Sequence, residues 1–464
     1  EDTVQPVQYV YKDYVKAPAS GQYGDARSLK RFFNGNNYRK EWTTPVNLKV
    51  FNINKEKGGF TIEGVGGGKQ TRTLKLKDKD GREWALRTID KDPTSAIPQN
   101  LRHSFASNIV QDLISAAHPY APLAIPTLAD TTNVLVAEPT FYYVPDDPSL
   151  GYYRPLFANK ICMLEWKDPE EQTDSKSSFK LFNSMRENNN HTVDQEAVLR
   201  ARLLDMLIAD WDRHFDQWRW VTRDTGHGRL YIPIPRDRDQ AFFYSDGLIV
   251  KYMANRRIPF LKGLRKRIPD INRLNMVSKD FDRLYLNSLD ETAWHRVALG
   301  FTEKLTDSRI ESAIRKMPEE IFEISGQEII DKLKSRRDLL MHESLKYYRF
   351  LSKEVDILGS NENEKFSISK QNDSLKLTVV SYNKYADTNF VMYERVFDPQ
   401  VTREIRLYGF NGDDKFEVDS NLHSNIRIRM IGGRGNDSFF IKSRLRSFIY
   451  DNVIDTNYVA SGRG

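Results

Sequence analysis

The pattern of apolar and polar positions divides the chain into a strand-rich part, a helical part and a second strand-rich part. Apolar and polar residues alternate over residues 47–53, 71–76 and 83–89, as they do in half-buried strands. The segment Lys77-Asp78-Lys79-Asp80-Gly81 between the last two is typical of a turn. We therefore predict β structure over residues 46–92, including one hairpin.

The middle of the chain has a helical period instead. Apolar residues recur every four positions over residues 98–118, which predicts a helix that ends before Pro119. A second apolar stripe predicts a helix over residues 194–211. Residues 121–165 are expected to form short strands, and residues 280–355 are expected to be mainly helical.

Strict alternation returns after about Asp356. It is clear over residues 366–369, 375–379 and 426–430, so a separate β module is predicted there. The predicted fold class is α+β, with an order of β-rich, helical and β-rich parts. The predicted divisions are a lead-in or linker over 1–45, a β-rich region with one helix over 46–165, a helical region over 166–355, and a β-rich module over 356–464.

Composition narrows the range of functions. With 464 residues the chain is too long for one compact core. Its net charge of +6 favours anionic partners such as nucleotides or phospholipid head groups. The single cysteine, Cys162, excludes an intrachain disulfide and a multi-cysteine zinc site. No H-E-x-x-H or nucleic-acid motif occurs, so neither a zinc hydrolase nor a nucleic-acid partner is expected, and no oligomeric state is assigned.

Two acidic segments have the residue types that phosphoryl transfer needs. Asp212 is followed five residues later by Gln217, which is the spacing of a kinase catalytic loop with an aspartate base and a metal-binding amide. Further along, an apolar stretch leads into Asp237 and Asp239, which project to the same side if the backbone is extended. Either acid is a candidate for the main Mg²⁺ ligand. His214 is interpreted as a site-orienting histidine, because no second histidine lies at helical spacing.

At these residues the chain resembles atypical kinases of the spore-coat CotH group, and it is also similar to secretory-pathway and lipid kinases. The matching stretches are "DWDRHFDQ" over residues 210–217 and "PIPRDRDQAF" over residues 233–242. The resemblance implies a two-lobed protein-kinase-like fold, followed here by the β module. It also implies ATP and Mg²⁺ as cofactors.

The same resemblance implies roles for single residues. Asp212 would be the catalytic base with His214 beside it, and the metal would be held by Gln217, Asp237 and Asp239. Glycines would lie over the phosphates at positions Gly66, Gly67 and Gly68. The strand that should carry a phosphate-binding lysine has Arg87 there and Lys91 after it, so one of these cations must serve. A pair of Arg87 with Asp112 could replace the usual lysine–glutamate pair.

A longer stretch, from Tyr38 to the C-terminus, resembles Bacteroidetes envelope proteins. In these proteins such a region often follows a metallophosphoesterase domain and precedes a BamA/TamA-type outer-membrane barrel. The resemblance implies a location in the cell envelope, periplasmic or associated with the outer membrane. It also implies a barrel, in the same chain or in a partner chain, as an interaction partner.

Two functions therefore stay open. The first is a kinase-like domain that binds nucleotide and Mg²⁺ and transfers phosphate to an acceptor in the cell envelope. The second is a non-catalytic, pseudokinase-like docking module of an outer-membrane protein assembly. Nucleotide binding discriminates the two.

The β module contains two glycine-rich turns. The stretches Gly409–Asp414 and Gly432–Asp437 fit, fully or nearly, the G-G-x-G-x-D turn of RTX calcium repeats. Asp414 and Asp437 are therefore candidate Ca²⁺ ligands, since aspartate supplies the hard oxygen that this ion prefers. The two turns lack the nine-residue spacing of such repeats, and plain glycine–aspartate turns are the alternative.

Overall fold

The computed structural model describes residues 10–24, 28–66, 71–91, 113–167, 175–256, 258–382, 389–443 and 445–461. The predicted α+β class is confirmed, since the described residues form four sheets and many helices, the helices all before residue 352. Within the described ranges, no helix combines the length and apolar character that crossing a membrane requires. The glycines Gly67 and Gly68, and most of the helix predicted over residues 98–118 including Asp112, lie outside the described residues.

A seven-stranded sheet forms the N-terminal region. Its strands lie in the order β1-β2-β6-β7-β5-β4-β3, and only the β2–β6 pair is parallel. The predicted hairpin is its β4–β5 pair, in which Leu74 and Leu76 are completely buried. The strands are β1 Tyr14–Ala17, β2 Val46–Val50, β3 Phe60–Gly66, β4 Thr73–Asp78, β5 Glu83–Thr88, β6 Thr140–Val144 and β7 Lys160–Trp166.

The first 45 residues contribute more to the fold than a linker would. Strand β1 pairs with β2, and Trp42 is only 2% exposed. The indole N–H of Trp42 donates to the carbonyl of Ala117 (2.9 Å), and the Tyr38 hydroxyl donates to the carbonyl of Phe242 (2.7 Å). These contacts join the lead-in to the sheet region and to the helical region at once.

Helices dominate residues 175–353, where a small four-stranded sheet is inserted. That sheet has the order β8-β10-β11-β9, with β8 Lys176–Ser177, β9 His191–Val193, β10 Trp218–Asp224 and β11 Arg229–Pro235. The α-helices of the described residues are Ser28–Asn34, Arg39–Thr43, Ala121–Thr131, Arg154–Phe157, Ser178–Glu187, Gln195–Ile208, Leu248–Arg256, Ile271–Leu274, Lys279–Tyr285, Glu291–Lys304, Asp307–Ile314, Glu319–Ile321 and Gln327–Leu351.

One predicted strand segment is helical. Residues Ala121–Thr131 form a helix although strands were expected after Pro119. Pro122 lies in the first turn, where a missing N–H costs nothing, whereas Pro126 lies inside the helix and obscured its pattern in the sequence. Burial of Ile125 and Leu128 in the main core compensates for the lost hydrogen bond. The expectation of short strands over this segment was therefore wrong.

Strands β12–β21 form a parallel β-solenoid, defined here as residues 354–461. Its first face is the sheet β12-β16-β18-β20, in which every neighbouring pair is parallel. Its second face contains β13, β17, β19 and β21 in parallel, with the antiparallel strands β14 and β15 added at the β13 edge. The strands are β12 Glu354–Leu358, β13 Glu364–Gln371, β14 Ser374–Ser381, β15 Val391–Phe397, β16 Glu404–Asn411, β17 Lys415–Val418, β18 Arg427–Arg434, β19 Ser438–Ile441, β20 Ser447–Tyr450 and β21 Tyr458–Ser461.

The solenoid has its own core. Alternate side chains of the two faces meet between them, and the rings of Phe366, Phe416 and Phe439 stack in successive coils with centroids 4.7 and 4.9 Å apart. Phe410 lies opposite Gly433 in the β16–β18 pair, so the two glycine-rich turns belong to adjacent coils. They therefore do stack, although not at the spacing of nine residues that RTX repeats have.

Candidate functional site

The two acidic segments predicted to act together are joined by one hairpin. Strands β10 and β11 pair antiparallel so that Trp218 lies opposite Pro235. Gln217 therefore precedes the first strand of the hairpin, beside Arg236, which follows the second strand, and the Arg236 N–H donates to the Gln217 carbonyl (2.8 Å). Asp237 follows with a φ of 56°, in the left-handed region where non-glycine residues are rare. The backbone is therefore not extended at Asp237.

Cations of the N-terminal sheet region meet these acids. Arg87, near the end of β5, has Nη1 3.5 Å from Asp237 Oδ1 and Nε 4.0 Å from Glu165 Oε2. Lys91, three residues after β5, forms an ion pair with Asp239. Both cations that the sequence offered for phosphate binding therefore lie at the acids that it offered for metal binding.

The catalytic-loop candidates lie just beyond the helix Gln195–Ile208. Ala209 caps this helix with a left-handed φ of 58° and turns the chain into the loop. Nδ1 of His214 accepts from the Asp216 N–H (3.3 Å), which leaves Nε2 for contacts with other side chains of the loop. That nitrogen lies 3.8 Å from Asp212 Oδ1 and 3.4 Å from the side-chain nitrogen of Gln217. The distance of 3.8 Å between His214 Nε2 and Asp212 Oδ1 is longer than a hydrogen bond, so the orienting role of His214 stays a prediction.

In the cleft between the sheet and helical regions, the pKa values of Asp237 and Asp239 are shifted in opposite directions. Burial raises the pKa of Asp239 to about 6, with Lys91 opposing the rise and Asp237 adding to it. Burial also disfavours the charge of Asp237, but Arg87 and Lys91 outweigh it and hold its pKa below the ordinary value. Burial likewise disfavours the Lys91 ammonium, yet Asp239, Asp237 and Asp212 raise its pKa. Asp212 thus shares the electrostatic environment of the cleft.

A buried arginine holds the two loops together. Arg213, completely buried, donates from Nη1 to the carbonyl of Arg236 (2.5 Å) and from Nη2 to that of Gln217 (3.4 Å). Its Nε lies 3.3 Å from Asp205 Oδ2, and Arg238 Nη1 lies 2.6 Å from the other oxygen of the same carboxylate. Arg213 and Arg238 therefore both pair with Asp205, although the charge of Arg213 also lowers the pKa of Asp237.

The buried residues that hold the site in place were not predicted from the sequence. Asp205 was visible in the sequence only as an acid within a helix, and its three arginine partners, Arg202, Arg213 and Arg238, could not be read from spacing. Glu165 at the end of β7 was missed as a partner of Arg87. The signal that could have indicated a network is an aspartate at an otherwise apolar helix position, since buried charges need partners.

Other predicted residues lie apart from the acids. Gly66 ends β3, and a Cβ there would meet the Lys75 side chain at 2.8 Å, with no cleft acid among its three nearest atoms. Asp414 and Asp437 lie in the solenoid, where the Asp414 N–H donates to Asp437 Oδ1 (2.8 Å). The structure therefore brings together the two candidate calcium ligands, but in a different part of the molecule from the cleft.

The donor set of the cleft suits Mg²⁺ bound together with phosphates. Within the ranges that the structure covers, no group of three or more His, Cys, Asp or Glu side chains could hold a metal ion by itself. Mg²⁺ is usually held by one or two carboxylates, with waters and substrate phosphates completing its shell. Asp237 and Asp239 meet that requirement. A cavity at these acids measures only about 50 Å³, below the ~300–1,000 Å³ of ordinary ligand pockets.

Comparisons with known proteins are sparse. No family model matches the chain, and no curated protein matches it. Among solved structures it is similar to the proinflammatory kinase CtkA of Helicobacter pylori, with 13% identity over 62% of this chain and 96% of CtkA and a TM-score of 0.36. It is also similar to the Rio2 kinase of Chaetomium thermophilum, solved as an ADP/Mg²⁺-phosphoaspartate complex, with 12% identity over 61% of this chain and 71% of Rio2 and a TM-score of 0.28. Both TM-scores are below 0.5, so the case for this site depends on the chain's own geometry.

Proposed function

We propose that residues 46–355 form a two-lobed, kinase-like module that binds ATP and Mg²⁺ in the cleft and transfers the γ-phosphoryl group to a hydroxyl acceptor. The observation that carries the proposal is the double ion pairing across the cleft. Arg87 and Lys91 come from the sheet region, and Asp237 and Asp239 from the segment after β11. A lysine on a strand, a metal-binding aspartate and a loop aspartate are the recurring parts of kinase sites.

The roles follow from the chemistry of each group. Asp237 and Asp239 would hold Mg²⁺, which when bound offsets the charge of the phosphates. Lys91 and Arg87, released from the two acids, bind the phosphate oxygens. Asp212 accepts the proton of the acceptor hydroxyl as that oxygen bonds to the γ-phosphorus, and the bond from phosphorus to the β–γ bridging oxygen breaks to leave ADP. His214 orients Asp212.

Nucleotide binding tests the proposal. ATP with Mg²⁺ should raise the melting temperature of the full chain by mass action, since ligand binds only the folded state. Asp239→Asn should abolish that rise. Asp216→Asn is the matched control, because the Asp216 side chain is 99% exposed and faces solvent beside the same loop. An unchanged melting temperature of the wild type at millimolar ATP–Mg²⁺ would contradict nucleotide binding.

Transfer is tested separately from binding. ADP formation from ATP in the presence of a cell-envelope extract should be seen with the wild type and lost in Asp212→Asn, which should keep the ATP-dependent rise in melting temperature. If Asp212→Asn loses the rise in melting temperature as well as ADP formation, Asp212 is instead assigned to nucleotide binding. ADP formation that survives in Asp212→Asn would rule out this residue as the base.

A non-catalytic docking module is the second candidate, and one observation favours it. The amide of Gln217 lies against His214 instead of the acids at positions 237 and 239, and both acids are already neutralised by cations. Under this alternative the wild type binds nucleotide without forming ADP, or binds none. ADP formation that depends on Asp212 would exclude it.

The proposed location is the cell envelope, with an outer-membrane protein assembly as partner. Its support is the resemblance that begins at Tyr38. Fractionation of cells that express the tagged full-length gene product tests it, because recovery in the cytoplasm alone would contradict an envelope location. Cross-linking in the membrane fraction would then identify the partner.

A further inference from the structure

One edge of the solenoid carries a stack of acidic turns, one in each coil. The Glu364 N–H donates to Asp414 Oδ1 (2.7 Å), and the Asp414 N–H donates to Asp437 Oδ1 (2.8 Å). The Asp437 N–H donates in turn to the side-chain oxygen of Asn457 (3.0 Å). Oδ1 of Asp414 and of Asp437 therefore accepts a hydrogen bond from a backbone N–H of the preceding coil, which leaves Oδ2 for another partner.

The second oxygens of this stack are buried without a partner. Asp414 and Asp437 are each 1% exposed. Across the part of the chain that the structure describes, Oδ2 of Asp414, of Asp437 and of Asp451 has no hydrogen-bond donor. A buried carboxylate oxygen without a partner is costly, so these groups require a cation or a proton.

Carboxylate oxygens of this stack pack against two glycines. A Cβ on Gly432 would lie 2.3 Å from Asp437 Oδ2 and 2.8 Å from Asp451 Oδ1. A Cβ on Gly409 would lie 2.1 Å from Asp414 Oδ2 and 2.5 Å from the carbonyl oxygen of Gly432. Oxygens of two coils therefore pack against each glycine, and a side chain at either position would displace the carboxylates.

The surrounding charges are acidic. Burial raises the pKa of Asp414 to about 9, and the carboxylates of Glu364, Asp437 and Asp413 add to the rise. Burial raises the pKa of Asp437 to about 6, with Asp451 and Asp413 adding to it. The charged groups with the largest effects here are thus other acids, which is the opposite of the cleft.

We propose that these turns bind Ca²⁺ between coils, with the Asp437 and Asp451 carboxylates as its principal ligands. Backbone carbonyls and waters complete the shell, because two carboxylates alone supply too few oxygens for this ion. Ca²⁺ takes six to eight oxygen ligands in a flexible geometry and accepts carboxylates, carbonyls and waters together. Mg²⁺ demands a tighter octahedral shell and gives up its waters reluctantly, so this site selects calcium. The proposal does not depend on the function of the cleft.

The test is a calcium titration of the full chain after treatment with EGTA. CaCl₂ should raise the melting temperature, whereas MgCl₂ at the same concentration should have little effect. Asp437→Asn and Asp451→Asn should each weaken the Kd for calcium at least tenfold, measured by calorimetry. Both amides keep a side-chain oxygen as acceptor, so the hydrogen bond from the Asp414 N–H survives. Asp373→Asn, an exposed acid in the turn between β13 and β14, is the matched control and should leave the Kd unchanged.

Three results would overturn the proposal. The first is a wild-type melting temperature that does not respond to millimolar calcium. The second is a response that Asp437→Asn and Asp451→Asn retain in full. The third is a solenoid stabilised by low pH and unaffected by calcium, because protons would then neutralise the carboxylates. The response to ATP–Mg²⁺ should be the same in Asp437→Asn and wild type, which separates this site from the cleft.

Discussion

The cleft and the acidic turns of the solenoid both bury carboxylates, and they neutralise them in different ways. In the cleft, Asp237 and Asp239 face Arg87 and Lys91, which come from a region far away in the chain. In the solenoid, Asp414 and Asp437 are bound by backbone N–H groups of neighbouring coils and are surrounded by more acid. A site built from distant elements can bring its own counter-charges, whereas a stacked repeat brings copies of the same charge. The cleft can exchange its protein cations for a bound ligand. The solenoid turns need a bound cation or a proton to neutralise their carboxylates.

The largest expected effect comes from breaking the arginine network behind the cleft. Arg202→Met leaves Asp282 and Asp205 without the guanidinium that lies 2.8 and 2.7 Å from them, so it should cost about 3–5 kcal/mol of unfolding free energy. Tryptophan fluorescence during denaturant unfolding measures this cost. All seven tryptophans lie outside the solenoid, so the signal reports on the other two regions.

The control for this prediction is a surface pair of the same type. Arg296 pairs with Glu196 at 2.5 Å, but its side chain is 63% exposed, so Arg296→Met should change the unfolding free energy very little. Equal costs for the two variants would contradict the view that burial makes the network important.

The next largest effect is the coupling across the cleft itself. A double-mutant cycle of Lys91→Met and Asp239→Asn should give an interaction free energy of about 2 kcal/mol, because each single variant strands one charge of a largely buried pair. Unfolding followed by tryptophan fluorescence measures all four proteins of the cycle. Additive single effects would mean that the two side chains do not interact in solution.

The regions should also differ in the sign of their pH dependence, beginning with the cleft. Burial lowers the pKa of His118 to about 3, against about 6.5 in an unfolded chain. The unfolded state therefore binds the extra proton first, and stability falls as pH decreases below 6.5, by about 1.4 kcal/mol at pH 5.5. His118→Asn, whose side-chain oxygen can still accept from the Tyr120 N–H, should remove this part of the slope. A slope that the variant leaves unchanged would assign the acid sensitivity to other groups.

The solenoid should show the opposite sign when calcium is removed. Asp414 has a folded pKa of about 9, far above about 3.9 for an unfolded aspartate, so the folded state holds the proton between these values. Its stabilising effect is full at acid pH and is lost as pH rises towards 9, by about 1 kcal/mol between pH 7 and 8. Hydrogen exchange of β16–β19 in EGTA measures it, and Asp414→Asn should flatten the dependence. Faster exchange at acid pH, after correction for the intrinsic rate, would reverse the assignment.

Local patterns were a good guide wherever one element determines the outcome. Alternation predicted β4 and β5, and the helical stripe predicted a helix over residues 194–211, which the structure has as Gln195–Ile208 with Asp194 as its N-cap, accepting from the Ala197 N–H. The helix Ala121–Thr131 was missed because its prolines conceal the period and only burial in the core reveals its preference. The candidate residues of the cleft could be nominated from short segments in the same way, since Asp212 and Gln217 lie in one loop and Asp237 and Asp239 in another, whereas their roles stay predictions.

The sequence by itself determined which residue types meet at each short segment: the acids of the two loops, the cations after β5, and the glycine–aspartate turns. Only the tertiary structure decided the partners. Arg213 belongs to Asp205 and not to its neighbour Asp212, and Asp237 belongs to Arg87. The physical reason is range, because backbone periods depend on neighbouring residues, whereas the partner of a buried charge is selected by whichever distant group folding brings within a few ångströms of it.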